Sequence, residues 1–330
     1  MDTNAILSTM SLSIIMPCYN CGALVEETLK TLEAQTVKGF EVICINDGSK
    51  DNTLEILKRW QSESSLNIKV LDQDNLGVSA TRNRGIEEST GKYILFLDAD
   101  DMYHPSFVKK MLNAIEDSDA DVAYCRLSRT YEDVFKEQEC DEGQYVIKDQ
   151  ADAMYDLLYK MGQFGFYCYI YRKYTLKKMN ICFDTSAKFG EDREFIWKYM
   201  CHCQAAAFVD VALYWYRPNM TSATKGTASW RRIDSLAAVM RVEQYMRERN
   251  IEFLEFYVDY MYARDMWAVA KNFAARKDKA LFAQLQQKFD VKACMKRTAR
   301  DKNRLVALAS KLYLIHPMLF FYAIIFSKRS

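Results

Sequence analysis

The first 125 residues alternate short apolar runs with stretches of helical spacing. Residues 12–16 form an apolar run that ends at Pro17. Over 22–35, Leu24, Val25, Thr28, Leu29 and Leu32 fall on one side of a helix. A second apolar run, 41–45, ends in Asn46-Asp47-Gly48-Ser49, a turn that caps a helix over 51–60. The pattern then predicts a strand over 68–71, a helix over 77–88 and buried strands over 93–97 and 121–125. Pro105, between the last two, suits the first turn of a further helix. This alternation predicts an α/β fold, a mostly parallel sheet with helices on both faces. In such sheets ligands bind beyond the carboxyl ends of the strands. Three polar motifs sit there: Pro17-Cys18-Tyr19-Asn20, Asn46-Asp47-Gly48-Ser49 and Asp98-Ala99-Asp100-Asp101.

Between 151 and 224 the pattern is mixed: a helix near 152–161, an aromatic stretch over 164–171, a helix from Glu191 and a strand near 207–211. From Trp230 onward helical periodicity dominates, with no glycine and a single proline, Pro317. We divide the chain into an N-terminal extension (1–11), an α/β domain (12–225) and a helical C-terminal region (226–330). The α/β domain divides into an alternating half, 12–125, and a mixed half, 126–225.

A length of 330 residues, half of them hydrophobic, supports a sizeable core. The formal net charge of +1 argues against a nucleic-acid partner for the chain as a whole. The N-terminus lacks a basic start and a long apolar run, so the ten cysteines are expected to be reduced thiols in a cytoplasmic protein. Cys18 and Cys21 have redox spacing, but two cysteines flanking a turn explain them as well.

The chemistry centres on the acidic cluster. Three carboxylates within four residues repel one another by roughly 4 kcal/mol per close pair at an effective dielectric near 20. Such a cluster suits Mg²⁺ or Mn²⁺ shared with a diphosphate. It is equally a solvated turn in which Asp101 caps the next helix. Asp47 is either a turn former or an acceptor for a base N–H or ribose hydroxyl. Tyr19 is a surface aromatic or a base-stacking ring. Asn75 precedes the helix that opens at Gly77, where the helix start and Arg82 favour anions. Glu191-Asp192 places two acids in a first helical turn, which the dipole alone explains; a general base is the functional alternative.

Taken in order, Ser13-Ile-Ile-Met-Pro17-Cys-Tyr19-Asn20, Ile45-Asn-Asp47-Gly48-Ser49, Asn75-Leu-Gly77 through Arg82-Asn83-Arg-Gly85 and Leu95-Phe-Leu-Asp98-Ala-Asp100-Asp101 resemble the family-2 inverting glycosyltransferases of GT-A fold. Gly190-Glu191-Asp192-Arg-Glu-Phe195 is similar to that family's base motif, and Tyr216-Arg217 with Ser222 to its downstream loop. The resemblance covers about 12–225 and implies a nucleotide-binding half, 12–125, and an acceptor half, 126–225. It implies that Pro17, Tyr19 and Asp47 hold the uracil or ribose of a UDP-type donor. Asn75 and Arg82 would help bind the nucleotide, and Arg217 and Ser222 would close over the diphosphate. Asp98 and Asp100 would form the D-x-D motif, with Asp100 the metal ligand and Asp98 its partner. Asp192 would be the catalytic base of a single displacement that inverts the anomeric carbon. The cofactor implied is a divalent cation, Mn²⁺ or Mg²⁺. Processive members carry Gln-x-x-Arg-Trp; here Ser229-Trp230-Arg231-Arg232 departs from it, which implies one sugar per encounter.

Between Lys288 and Lys311 stand eight basic and two acidic residues, followed by a 15-residue apolar run, 312–326, interrupted at His316-Pro317. A spanning helix needs about 20 residues. A basic helix followed by an aromatic apolar stretch suits the membrane interface, hence a peripheral protein on the cytoplasmic face. The competing expectation is a greasy face packed on the domain or on a second copy of the chain, making a homo-oligomer. The expected activity is extension of a surface glycan, on a glycan or lipid-linked acceptor. Transfer to polyprenyl phosphate and a silent sugar-nucleotide-binding module are the alternatives.

Overall fold

The computed structural model describes residues 11–135, 144–159, 163–187, 189–218, 233–257 and 261–327. Ser222 and the Ser229-Trp230-Arg231-Arg232 segment lie outside the described residues.

The opening strands form where the apolar runs fall: β1 (Leu12–Cys18), β2 (Glu41–Asp47), β3 (Asn67–Gln73) and β4 (Tyr93–Phe96). They pair in parallel in the order β3-β2-β1-β4. β2 and β4 are buried along their whole length, so neither alternates polar with apolar. The connecting helices are α1 (Val25–Glu33), α2 (Thr53–Glu63) and α3 (Val78–Glu88). α3 packs on β1 and β2, and α2 on β2 and β3.

Beyond β4 the sheet becomes mixed. β8 (Tyr169–Arg172) inserts antiparallel between β4 and β6 (Val122–Ser128). The long β9 (Ala205–Trp215) runs parallel to β6, and β5 (Met102–Tyr103) and β7 (Val146–Asp149) pair antiparallel with it. Helices α4 (Phe107–Asp117), α5 (Tyr131–Phe135), α6 (Gln150–Tyr159) and α7 (Lys173–Lys178) flank this half. The sheet is thus α/β and mostly parallel, as the alternation implied. The aromatic stretch at 164–171 supplies the strand that the sequence pattern left unassigned. Several boundaries shift by a few residues; α4, for example, starts after Ser106, two residues later than the Pro105 start expected.

The chain divides into two compact units. The first takes Met1–Thr185 and Phe195–Asn219, and the second Ser186–Glu194 and Met220–Ser330. The division falls inside α8 (Glu191–Met200), and it differs from our boundary at 225 by assigning Ser186–Glu194 to the helical unit.

The core of the first unit under β4 is aromatic. Phe96 meets the rings of Phe166, Tyr171, Phe183 and Phe195 at centroid distances of 5.3–5.8 Å.

The described part of the second unit is helical: α9 (Asp234–Glu248), α10 (Leu254–Tyr257), α11 (Ala263–Ala275), α12 (Lys279–Lys288), α13 (Val291–Thr298), α14 (Arg304–Ile315) and α15 (Pro317–Ser327). Asp278, Asp290 and Asn303 cap α12, α13 and α14 by accepting backbone N–H groups. Leu236, Met266, Phe273, Phe282, Phe320 and Phe321 belong to its core. The apolar run at 312–326 therefore does two things. Tyr313, Phe320, Phe321 and Ile324 are buried, while Ile315, Leu319, Tyr322 and Phe326 are exposed. Among the described residues no helix is long and apolar enough to cross a membrane.

Candidate active site

The loops after β1 and β2 are laced together. Asn20, at φ +48°, donates its N–H to Ser49 Oγ at 3.0 Å and accepts from Lys50 N–H through Oδ1 at 2.7 Å. Gly22 N–H donates to Asp51 Oδ2 at 3.0 Å, and Cys21 N–H to Thr53 Oγ1 at 2.9 Å. Tyr19 stands on this rim, 53 % exposed, with its ring available to a ligand. Pro17 lies opposite Ile45 in the β1–β2 ladder. Cys18 and Cys21 are free thiols.

Asp47 is 4 % exposed, and its carboxylate is engaged by the protein itself. Oδ1 accepts Leu76 N–H at 2.8 Å and Gln73 Nε2 at 2.8 Å, and Oδ2 accepts Gly77 N–H at 2.9 Å. The anion at the start of α3 is thus Asp47, which occupies the N–H groups of Leu76 and Gly77. That fixes the Asn75-Leu76-Gly77 loop, with Asn75 exposed on it. A carboxylate has about four acceptor positions, so three internal bonds leave Asp47 room for one more donor.

Gly48 completes this arrangement. Its φ is +67°, and a Cβ would lie 2.8 Å from Asn75 N. Both the left-handed backbone and the approach of another main chain require glycine. Gly48→Ala is expected to cost about 1–3 kcal/mol from strain and to push the Asn75 loop outward. Urea denaturation would show the loss of stability, and titration with a nucleotide would show weakened binding.

Arg82, one turn into α3, is 5 % exposed. Its guanidinium lies 4.4 Å from the Phe166 ring centroid and 5.3 Å from that of Phe183. Nη2 donates to Asp98 Oδ1 at 2.9 Å. Asn83 fixes the aromatic wall through two hydrogen bonds of 2.8 Å to the backbone of Phe183. Sequence reasoning missed Phe166, Phe183 and Asn83. Asn83 stood only as a member of the Arg82-Asn83-Arg-Gly85 motif and Phe166 only as part of the aromatic stretch, and Phe183 carried no signal.

The acidic cluster separates into three roles. Asp98 accepts Arg82. Asp100 gives its backbone carbonyl to Arg217 Nε at 2.7 Å, while Arg217 Nη2 donates to Glu27 at 2.6 Å. Asp101 is buried, and its carboxylate accepts Tyr214 O–H at 2.6 Å and Arg217 N–H at 2.8 Å. It does not cap α4; its acceptors are spent on β9 and the residues after it, and Ser106 holds the cap position. Burial first, then the charges of Asp98 and Asp100, push the Asp101 carboxyl up to about 8 against the hydrogen bonds that lower it. Thr28 Oγ1 braces the same loop, donating to the carbonyls of Ala99 and Asp101 at 3.0 and 2.8 Å.

The donor chemistry fits a divalent cation. The carboxylates of Asp98 and Asp100 are hard oxygen donors of the kind such a cation takes, few in number and beside an arginine. Asp101, engaged on both oxygens, is the acid of the three that is not offered. Among the described residues no larger group of His, Cys, Asp and Glu gathers around one point. Phosphate oxygens and water would have to complete the shell.

Pro17, Tyr19, Asp47, Asn75, Arg82, Asp98, Asp100 and Arg217 all lie in the first unit. Asp192 lies in the second, where its Oδ1 accepts the N–H of Arg193 at 2.7 Å.

Residues 13–199 match the family described as Glycosyl transferase family 2. The chain belongs to glycosyl transferase family 2. Among curated relatives, the uncharacterized glycosyltransferase YibD of Escherichia coli K12 is 43 % identical over 118 residues, 36 % of this chain and 34 % of YibD. The putative glycosyltransferase EpsH of Bacillus subtilis is 28 % identical over 220 residues, 66 % of this chain and 63 % of EpsH. The chain therefore spans less than two thirds of these relatives. The S. aureus TarS 1-349 structure in complex with UDP-GlcNAc superposes with TM-score 0.72 at 20 % identity, covering 97 % of this chain and 92 % of that one. The mannosyltransferase PcManGT of Pyrobaculum calidifontis, in complex with GDP-Man and Mn²⁺, gives 0.56 at 16 % identity, covering 98 % and 89 %. Both likenesses show the shared GT-A fold of this family-2 chain.

Proposed function

We propose that this chain is an inverting, non-processive glycosyltransferase. It moves one sugar from a nucleotide-diphosphate sugar, of the uridine type, to a hydroxyl of a glycan or lipid-linked glycan. One observation carries the reading: Asp98 and Asp100 stand together at the end of β4, with Arg82 held on Asp98 and Arg217 on the Asp100 carbonyl. Acids for a cation, met from α3 and from just after β9 by arginines that suit a diphosphate, are what a leaving nucleoside diphosphate requires. The TarS complex with UDP-GlcNAc and the PcManGT complex with GDP-Man and Mn²⁺ support it through the common fold.

In this reading Tyr19 stacks on the base, Pro17 borders it, and Asp47 offers its remaining acceptor while holding the Asn75 loop. Arg82, Arg217 and Ser222 meet the diphosphate. Asp100, with Asp98 beside it, would hold Mn²⁺ or Mg²⁺, which when bound stabilises the departing diphosphate. Asp192 removes the acceptor proton. A thermal-shift panel of UDP-, GDP- and dTDP-sugars with Mn²⁺ tests the reading. A UDP-sugar should raise Tm in a way that EDTA abolishes, with UDP released on turnover. No shift from any nucleotide sugar would sink it.

The same proposal places the protein peripherally on the cytoplasmic membrane face. Leu305, Leu308, Leu312 and Ile315 form one stripe of α14, and Leu319, Tyr322 and Phe326 one stripe of α15; all but Leu312 are exposed. Lys302, Arg304 and Lys311 flank them. Because Tyr313, Phe320 and Phe321 are core, the exposed residues are the ones to change. Replacing Leu305, Leu308, Ile315 and Leu319 with serine should weaken sedimentation with phosphatidylglycerol vesicles by about tenfold or more. Equal sedimentation of variant and parent would rule out this face.

A further inference from the structure

We infer that the helical unit is the mount for the segment that carries Asp192, and that Arg241 and Asp265 are positioning residues for it. The inference rests on the reading of Asp192 as the base. Two ion pairs hold the residues immediately after Asp192. Arg193 Nη1 pairs with Asp265 of α11, both side chains largely buried. Glu194, with its side chain 1 % exposed, pairs with Arg241 of α9, whose Nε and Nη2 lie 2.8 and 2.7 Å from the same Oε2.

The turn before Asp192 is held as closely. Gly190 has φ +83°, and a Cβ there would come within 3.0 Å of Ala238 Cβ and 3.3 Å of Ser235 Cα, both on α9. Gly190 O then accepts Glu194 N–H at 2.9 Å and starts α8. Asp192 is thus bracketed by a main-chain approach on one side and two salt bridges on the other, and all of these partners belong to the helical unit.

Surface ion pairs contribute little, but these differ. Removing one partner of a buried pair leaves an uncompensated charge. Relaxing that charge moves the backbone on which Asp192 rides. Neither pair reaches Asp192's own carboxylate except through the chain and the Arg193 guanidinium, which the charges of Asp265 and Asp192 together hold protonated against burial. Proton removal needs a fixed geometry, and a shift of about 1 Å can cost about a hundredfold in rate.

The test is UDP release from UDP-glucose, UDP-galactose and UDP-N-acetylglucosamine with Mn²⁺, together with calorimetric binding of UDP. Arg241→Gln and Asp265→Asn are each expected to lower kcat about tenfold or more, with UDP affinity within about twofold of the parent. The Glu194 amide should exchange faster in both. Arg241→Lys and Asp265→Glu should recover part of the loss.

Arg264→Gln breaks a bidentate pair with Asp301 elsewhere in the same unit, at 2.7 and 2.8 Å, and should leave kcat unchanged. If Asp265→Asn does not fold, Arg241→Gln carries the test, since Arg241 lies at the rim with its side chain 33 % exposed. Unchanged kcat in both variants while Asp192→Asn is inactive overturns the mount. An equal loss in Arg264→Gln overturns it too. Full activity in Asp192→Asn instead overturns the assignment of the base, on which the mount depends.

Discussion

Asp100→Asn is expected to reduce sugar transfer by a factor of about 100 or more, about 2.7 kcal/mol of transition-state stabilisation, while leaving the fold intact. The side chain keeps its size and loses its charge. Arg217 keeps its bond to the Asp100 carbonyl, which the substitution retains. The Asp100 charge is one of the causes that push the buried Asp101 carboxyl up, and removing it relieves that part, so Tm of the metal-free protein should hold or rise. Activity and stability thus move in opposite directions. A merely structural acid would lose both together. Asp98→Asn should differ in kind, since it also removes the charge that Arg82 pairs with at 2.9 Å and weakens binding of UDP itself. Steady-state transfer, calorimetric UDP binding and thermal melts with and without Mn²⁺ separate the cases. Transfer within threefold of the parent in Asp100→Asn would remove Asp100 from the cation site.

The parallel half of the sheet was legible because it is local. Each of β1, β2 and β4 is an apolar run closed by a polar motif, and βαβ handedness leaves few ways to assemble them. The same logic placed Tyr19, Asp47 and Asp98 at one sheet edge. The other half was not legible in this way. Tyr169–Arg172 is buried between two strands and carries no alternation, so nothing in its pattern marks it as antiparallel. The two-residue β5 exists only because β9 is there to pair with it.

Among the site residues, identity was easier to read than partner. The motif implies a nucleotide role for Asp47, but only the fold shows its oxygens given to Leu76, Gly77 and Gln73. The helix-cap expectation for Asp101 failed because Tyr214 and Arg217, more than 110 positions away, claim its carboxylate first. Long-range hydrogen bonds of this kind leave no local trace in sequence.

Asp192→Asn is expected to reduce transfer by a factor of about 100 to 10,000, the range general-base catalysis supplies, with donor affinity unchanged. The difficulty is that Asp192 also sits in the first turn of α8, where any acid favours the helix dipole. Losing one such charge costs about 0.3–1 kcal/mol, and that alone could lower the fraction of folded enzyme. Glu191 supplies the control. It occupies the same turn, so Glu191→Gln removes an equal charge from the same dipole. The two variants should therefore share a small drop in Tm, and only Asp192→Asn should lose transfer. Asparagine keeps the Oδ1 that accepts Arg193 N–H at 2.7 Å, so the local turn survives and the missing function is the proton acceptor itself. Equal activity in the two variants would return Asp192 to the dipole and leave the base to be found elsewhere.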